Sequence, residues 1–185
     1  MFTEIERKYG TPRELVMSFT MNPGEFEMLE DSMKDGRNSD VTMFIFKDDK
    51  VMVIAKPWYP KGLFRAPSGG IKPGEDMEHT AKREAYEETG TEIELERYLL
   101  RIQVTFVCDG EKREWTSHVF TARYLSGDLR PIDTREIKKV TLMSLDELSS
   151  LKPELIKQDS GGLKYRAALT EAAIAEIKSE KNRDV

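Results

Sequence analysis

Residues 69–91 read GGIKPGEDMEHTAKREAYEETGT, and both the fold and the chemistry of this 185-residue chain are read outward from them. The stretch opens as a loop. Gly69, Gly70, Pro73 and Gly74 allow tight turning and close approach of the backbone to a ligand, since glycine carries no Cβ and tolerates positive φ. From Asp76 to Thr89 there is neither Gly nor Pro, which predicts a helix, and Gly90 stands where a left-handed C-cap ends it. Glu84, Glu87 and Glu88 follow the i, i+3, i+4 spacing, which sets three carboxylates on one helical face with Cβ atoms roughly 5–6 Å apart. Arg83, four residues before Glu87, is within reach of it.

Like charges at this spacing disfavour a free helix by a few tenths of a kcal/mol each, so the pattern asks for a neutralising cation. Hard divalent ions prefer carboxylate oxygens, keep several waters, and share their remaining positions with substrate phosphates, to which a glycine loop comes close. An acidic helical pair alone is more often a solvated face. The complete pattern is more specific: Gly69, five residues, Glu75, seven residues, Arg83-Glu84, two residues, Glu87-Glu88, one residue, Gly90. It resembles the Nudix box, Gly-x5-Glu-x7-Arg-Glu-U-x-Glu-Glu-x-Gly-U with U aliphatic. Every charged and glycine position matches. Ala85 is small for the first U, and Thr91 stands at the second where Ile, Leu or Val is usual.

The resemblance implies an α/β/α sandwich with a mixed β-sheet over roughly residues 40–150. It also implies Mg²⁺- or Mn²⁺-dependent hydrolysis of a nucleoside diphosphate linked to a moiety X, giving a nucleoside monophosphate and phosphorylated X. Carried over position by position, Glu84, Glu87 and Glu88 with the Ser68 carbonyl hold the metal, and Arg83 orients the glutamates. Glu75 holds outer-sphere water or fixes the loop. The general base is Glu84 or the downstream Glu136, which aligns with a further ligand or base of some relatives and reads otherwise as a surface acid before a strand. That downstream match is weaker, with Leu142 where an aromatic often sits. The rival reading, a module that senses a nucleotide or sugar nucleotide without turnover, tends to lose box acids, and here all are present. An Mg²⁺-dependent kinase-like protein would need a Gly-Lys-Ser/Thr signature, which is absent.

Composition narrows the partners. Charged residues make up 34% and hydrophobic ones 38%, a globular balance, and the formal net charge of −5 argues against general nucleic-acid binding. No stretch approaches the roughly 20 apolar residues of a bilayer span. Cys108, the single cysteine, excludes an internal disulfide, reads as a small buried hydrophobe in an apolar run, and fits a reducing cytoplasm.

In chain order, residues 13–20 form a short strand, and Asn22-Pro23-Gly24-Glu25 starts a helix to about Lys34. Residues 1–39 are thus an appendage, packed on the core or on the second subunit of a homodimer, ahead of a domain over residues 40–185. Residues 41–46 and 51–55 make a hairpin. The proline-rich loop 56–67 carries Trp58 and Tyr59, which stack on a base or sugar or else anchor the loop, and Lys56 and Arg65, which meet a phosphate or remain surface charges. Residues 92–107 and 115–124 alternate as strands around Asp109-Gly110, and His118 reads as a hydrogen-bonded structural residue. Ser144 and Glu147 cap a short helix. Tyr165, Leu169, Ala173 and Ile177 stripe a final helix over residues 163–179 that docks on the sheet. Gly69 and Gly70 complete the substrate-side set. The identity of X stays open among sugar nucleotides, ADP-ribose-like compounds, nucleoside triphosphates and capped RNA ends; the proline that often marks ADP-ribose enzymes is absent, with Phe106 near its place.

Overall fold

The computed structural model describes residues 3–183. Helix α1 (Glu4–Tyr9) precedes β1 (Arg13–Thr20), α2 (Pro23–Met33), β2 (Ser39–Lys47), β3 (Lys50–Ala55) and β4 (Ser68–Gly70). Then follow α3 (Met77–Thr89), β5 (Thr91–Cys108), β6 (Glu111–Gly127), β7 (Lys139–Met143), α4 (Leu145–Ser149), α5 (Lys152–Ile156) and α6 (Gly161–Arg183). The sheet runs β1-β5-β6-β2-β3-β7, with β4 paired to β2. It is mixed, since β1–β5 and β2–β6 are parallel and the other pairs antiparallel.

Period-two alternation divides the sheet between two cores. From β2, Val41, Met43 and Ile45 pack on one face with Ala81 and Ala85 of α3, while Phe44 points to the other face with Leu169, Ala173 and Ile177 of α6. Ala85 has no exposed surface, so the small residue at the first aliphatic position sits where α3 meets the sheet. Thr91 is equally buried, and its hydroxyl is shared with Thr89 Oγ1 at 2.7 Å, which satisfies the polar group that replaces an aliphatic one.

The N-terminal residues join this architecture. β1 lies in register beside β5, from Arg13 opposite Leu100 to Thr20 opposite Val107. α2 is tied to the start of α6 by Glu25, which accepts from the Gly161 and Gly162 amides at 3.0 and 3.3 Å. The β5–β6 turn places both Asp109 and Gly110 at positive φ, 48° and 85°, the two-residue geometry that suits the twist of a hairpin. α1 and α5 were not expected from sequence. Each has 5 or 6 residues, too few for apolar periodicity, and α1 is held by a capping box from Thr3 and by the burial of Tyr9. Cys108 is buried in the α6-side core.

Candidate active site

α3 starts at Asp76, whose side chain accepts from the His79 amide at 2.7 Å, and ends at Gly90 with φ 72°. A Cβ at Gly90 would also stand 2.4 Å from the Arg130 carbonyl oxygen, so steric space and conformation both require glycine there. The Glu87 carbonyl at this end accepts from the Ile132 and Asp133 amides, each at 3.0 Å. Asp133 in turn accepts from the Glu136 amide at 3.3 Å. The downstream loop is thereby docked on α3, which brings Glu136 to the cleft that the helix borders.

Arg83 organises the acids. Its guanidinium grips Glu75 through Nε at 2.7 Å and Nη2 at 2.9 Å, and reaches Glu84 at 2.5 Å and Glu87 at 3.2 Å through Nη1. Glu75 also accepts from the Lys72 amide and Thr80 Oγ1, so it pins the glycine loop to α3, and the Arg83 contact first of all holds its carboxyl down at about 2. Glu84 behaves oppositely. Burial pushes its carboxyl up to about 7; Arg83 pulls against that shift, while Glu88 and Glu87 add to it.

Glu88 is 3% exposed and accepts from the Ser68 amide at 2.8 Å. Lys56 Nζ and Arg65 Nη2 stand 3.4 and 3.7 Å from its other oxygen. The two cations expected to meet phosphate are therefore engaged with this acid. Lys56 also reaches Glu136 at 3.1 Å, and Arg65 is buried, donating to the Ala66 carbonyl at 2.8 Å and Ser68 Oγ at 2.7 Å.

The two adjacent glycines lie against opposite charges, and only Gly69 is required by the space its neighbour takes. A Cβ on Gly69 would lie 1.8 Å from Glu84 Cδ, and one on Gly70 would touch Arg37 Cδ at 3.4 Å. Neither has positive φ; among the loop glycines Gly74 does, at 83°. Space, not backbone conformation, is what Gly69 supplies.

A cleft of about 320 Å³ collects Ser68, Gly69, Gly70, Glu84, Glu87, Glu88, Arg65 and Glu136. Arg37, Asp40, Trp115 and Arg166 also line it, with Ser32, Lys72 and Asp133, and no sequence motif marked those four. Trp58 and Tyr59 are not brought into it. They line a neighbouring hollow of about 540 Å³ under α2 and the start of α6, where Tyr59 packs on the small apolar cluster of Leu63, Leu155 and Ala167. His118 lies in the core, its Nδ1 bonded to the Tyr98 hydroxyl, and burial lowers its pKa to about 4.

The donor set fits a hard divalent ion: carboxylate oxygens from Glu84, Glu87 and Glu88 on one cleft wall, with no sulfur or imidazole beside them. Among the described residues no three such side chains are gathered closely enough to hold a metal as they stand. The cause is visible in the pairings, since Arg83 occupies Glu84 and Glu87 while Ser68, Lys56 and Arg65 occupy Glu88.

Residues 36–165 match the model of the NUDIX domain. The chain is similar to MutT4 of Mycobacterium tuberculosis, 39% identical over 88 residues that cover 48% of this chain and 35% of that protein. It is also similar to the NAD-capped RNA hydrolase NudC of Chromobacterium violaceum, 28% identical over 62% of this chain and 41% of that one. The matches thus span well under half the length of these curated relatives. Among solved structures, a NUDIX hydrolase from Nitrosomonas europaea superposes with a TM-score of 0.56 over 78% of this chain and 90% of its own, at 23% identity, which speaks for the fold. No helix among the described residues is long and apolar enough to cross a membrane. With the family model covering more than two thirds of its length, this chain belongs to the NUDIX family.

Proposed function

We propose that the chain is a divalent-metal-dependent pyrophosphohydrolase that cleaves the diphosphate of a nucleoside diphosphate linked to X. The observation that carries this reading is that the three helical box acids Glu84, Glu87 and Glu88 border one cleft together with Gly69, Gly70 and Glu136. Glu84, Glu87 and Glu88, with the Ser68 backbone, are the residues that would hold Mg²⁺ or Mn²⁺. Such an ion neutralises diphosphate charge and lowers the pKa of a bound water. Arg83 keeps the carboxylates aligned, and Glu75 keeps the loop closed on α3. Water attacks one phosphorus, the bridging P–O bond breaks, and nucleoside monophosphate and phosphorylated X leave.

Glu84 and Glu136, which both line the cleft, are the two candidates for accepting a proton from the attacking water. Small nucleotide derivatives suit a cleft of this size. The buried lone thiol of Cys108 is in keeping with a reducing cytoplasm. A phosphate-release screen over sugar nucleotides, ADP-ribose, dinucleotides, nucleoside triphosphates and capped RNA ends tests the proposal, run with Mg²⁺ or Mn²⁺ and with or without a phosphomonoesterase. Metal-dependent release from at least one class is expected. Full activity in excess chelator, or none against any class, rejects it in favour of a non-catalytic sensing module.

A further inference from the structure

Four cations line the cleft, Arg37, Arg65, Lys72 and Arg166; Lys72 is an exposed residue of the glycine loop, and Lys56 stands beside the cleft. Lys56 and Arg65 are spent on Glu88 and Glu136, as described above. Arg37 and Arg166 are placed differently. Arg37 follows the turn after α2, where Gly36 takes φ 79°, and lies against Gly70 with its guanidinium Nη1 3.5 Å from where a Cβ would stand. It is half-buried, lines the cleft, and among the described residues has no acidic partner or hydrogen bond. A half-buried guanidinium with no protein partner keeps its donors available to an anion that enters the cleft.

Arg166 reaches the same cleft from α6. Its Nη2 donates to Asp40 Oδ2 at 3.0 Å and Nη1 to Thr42 Oγ1 at 3.2 Å. Asp40 is 3% exposed, and its Oδ1 is a buried oxygen with no partner among the described residues. Two anchors on the buried side fix the guanidinium, which has five donors in all, and its side chain keeps 21% of its surface exposed. Arg166 borders both the cleft and the neighbouring hollow, so it stands where an extended ligand passes from one to the other.

From this placement we infer that Arg37 and Arg166 form a phosphate clamp in the cleft that the box acids border, seating the phosphate of the diphosphate that is remote from Glu84, Glu87 and Glu88. The inference rests on the hydrolase reading of the same cleft. It adds two binding residues from outside the box, one from the turn after α2 and one from α6. Arginine suits the task because its planar fork matches phosphate oxygens and stays charged. Glu84 packs where a Cβ on Gly69 would stand, while Arg37 lies in ordinary van der Waals contact range of Gly70.

The test measures binding, not turnover. Titration calorimetry with α,β-methylene-ADP and with methylenediphosphonate, both resistant to hydrolysis, is run in Mg²⁺ and in chelator on wild type, Arg37→Gln, Arg37→Lys, Arg166→Gln and Arg166→Lys. Each Gln variant is expected to bind both probes about tenfold or more weakly, the loss of one charge-assisted contact, with partial recovery in the Lys variants. Far-ultraviolet dichroism and melting confirm folding, which matters for Arg166→Gln because it leaves Asp40 unpaired; Arg37→Gln removes no hydrogen bond or ion pair among the described residues and carries the test by itself. Unchanged affinity in Arg37→Gln, or no binding of either probe by wild type, overturns the clamp. If the variants weaken binding while no compound is hydrolysed, the clamp stands and the hydrolase reading falls. If hydrolysis is found and Arg37→Gln binds and turns over like wild type, the clamp alone falls.

Discussion

Glu87 and Glu88 are neighbours in sequence, yet their removal has unequal consequences. Glu88 is buried, accepts from the Ser68 amide at 2.8 Å, and has Lys56 and Arg65 within 3.4 and 3.7 Å. Glu88→Gln keeps an oxygen for Ser68 but leaves the buried Arg65 without its counter-charge and Lys56 with Glu136 alone. Breaking a buried pair costs about 3–5 kcal/mol, and with the amide bond kept we expect about 2–3 kcal/mol. For a chain of this size that lowers the melting temperature by roughly 4–12 °C. Glu87 is 44% exposed and meets Arg83 at 3.2 Å. Glu87→Gln loses an exposed pair, at most about 1 kcal/mol, and relieves repulsion from Glu84 and Glu88 by a few tenths, so its melting in chelator should stay close to wild type. Metal then separates function from stability. An ion that binds only the folded state adds about 2.7 kcal/mol at a hundred times its Kd, and both variants should lose most of that rise. The assay is thermal unfolding of the three proteins in chelator and across a Mn²⁺ titration. Glu88→Gln melting with wild type in chelator would refute the structural role argued for Glu88. A full metal response in either variant would refute its place among the ligands.

Three further outcomes are expected. Gly69→Ala forces Glu84 from its seat, because the new Cβ would lie 1.8 Å from its Cδ; turnover should fall about a hundredfold with a stability loss of only about 1–3 kcal/mol, and wild-type kcat would contradict the geometry. Glu136, whose side chain is 64% exposed, should tolerate Gln with a stability change under about 1 kcal/mol. Its turnover should drop about a hundredfold if it is the base, and an undiminished rate would return it to a surface acid held by Lys56. His118 has a folded pKa of about 4 against 6.5 for the free group, so it is neutral at pH 7 and the unfolded chain binds more protons below pH 6.5. Stability present above that pH is lost as pH falls toward 4, by about 2 kcal/mol at about pH 5, and urea titrations should show this slope reduced in His118→Gln. Parallel slopes in the two proteins would show that His118 is not buried neutral.

The sequence by itself determined what depends on near neighbours. The absence of Gly and Pro from Asp76 to Thr89, with Gly90 behind it, is sufficient for α3, because caps and helical spacing are local; the same holds for the Asn22 and Ser144 capping boxes. The co-facial placement of Glu84, Glu87 and Glu88 follows from 3.6 residues per turn alone. α5 has no side-chain cap and, like α1, is too short to leave a periodic trace, whereas α1 carries a local signal in its Thr3–Glu6 capping box that the reading missed. Tertiary structure alone decided who pairs with whom. Spacing left Lys56 and Arg65 free for phosphate, and the fold spends them on Glu88, 32 and 23 positions further along, because a buried carboxylate needs compensation. Arg37 and Arg166 lie on opposite sides of the motif in sequence, and they meet at one cleft through the β2–β4 pairing and the docking of α6 over Asp40 and Thr42. No local pattern encodes such a meeting, since it depends on strand order and on which side chains are left without partners after the core has closed.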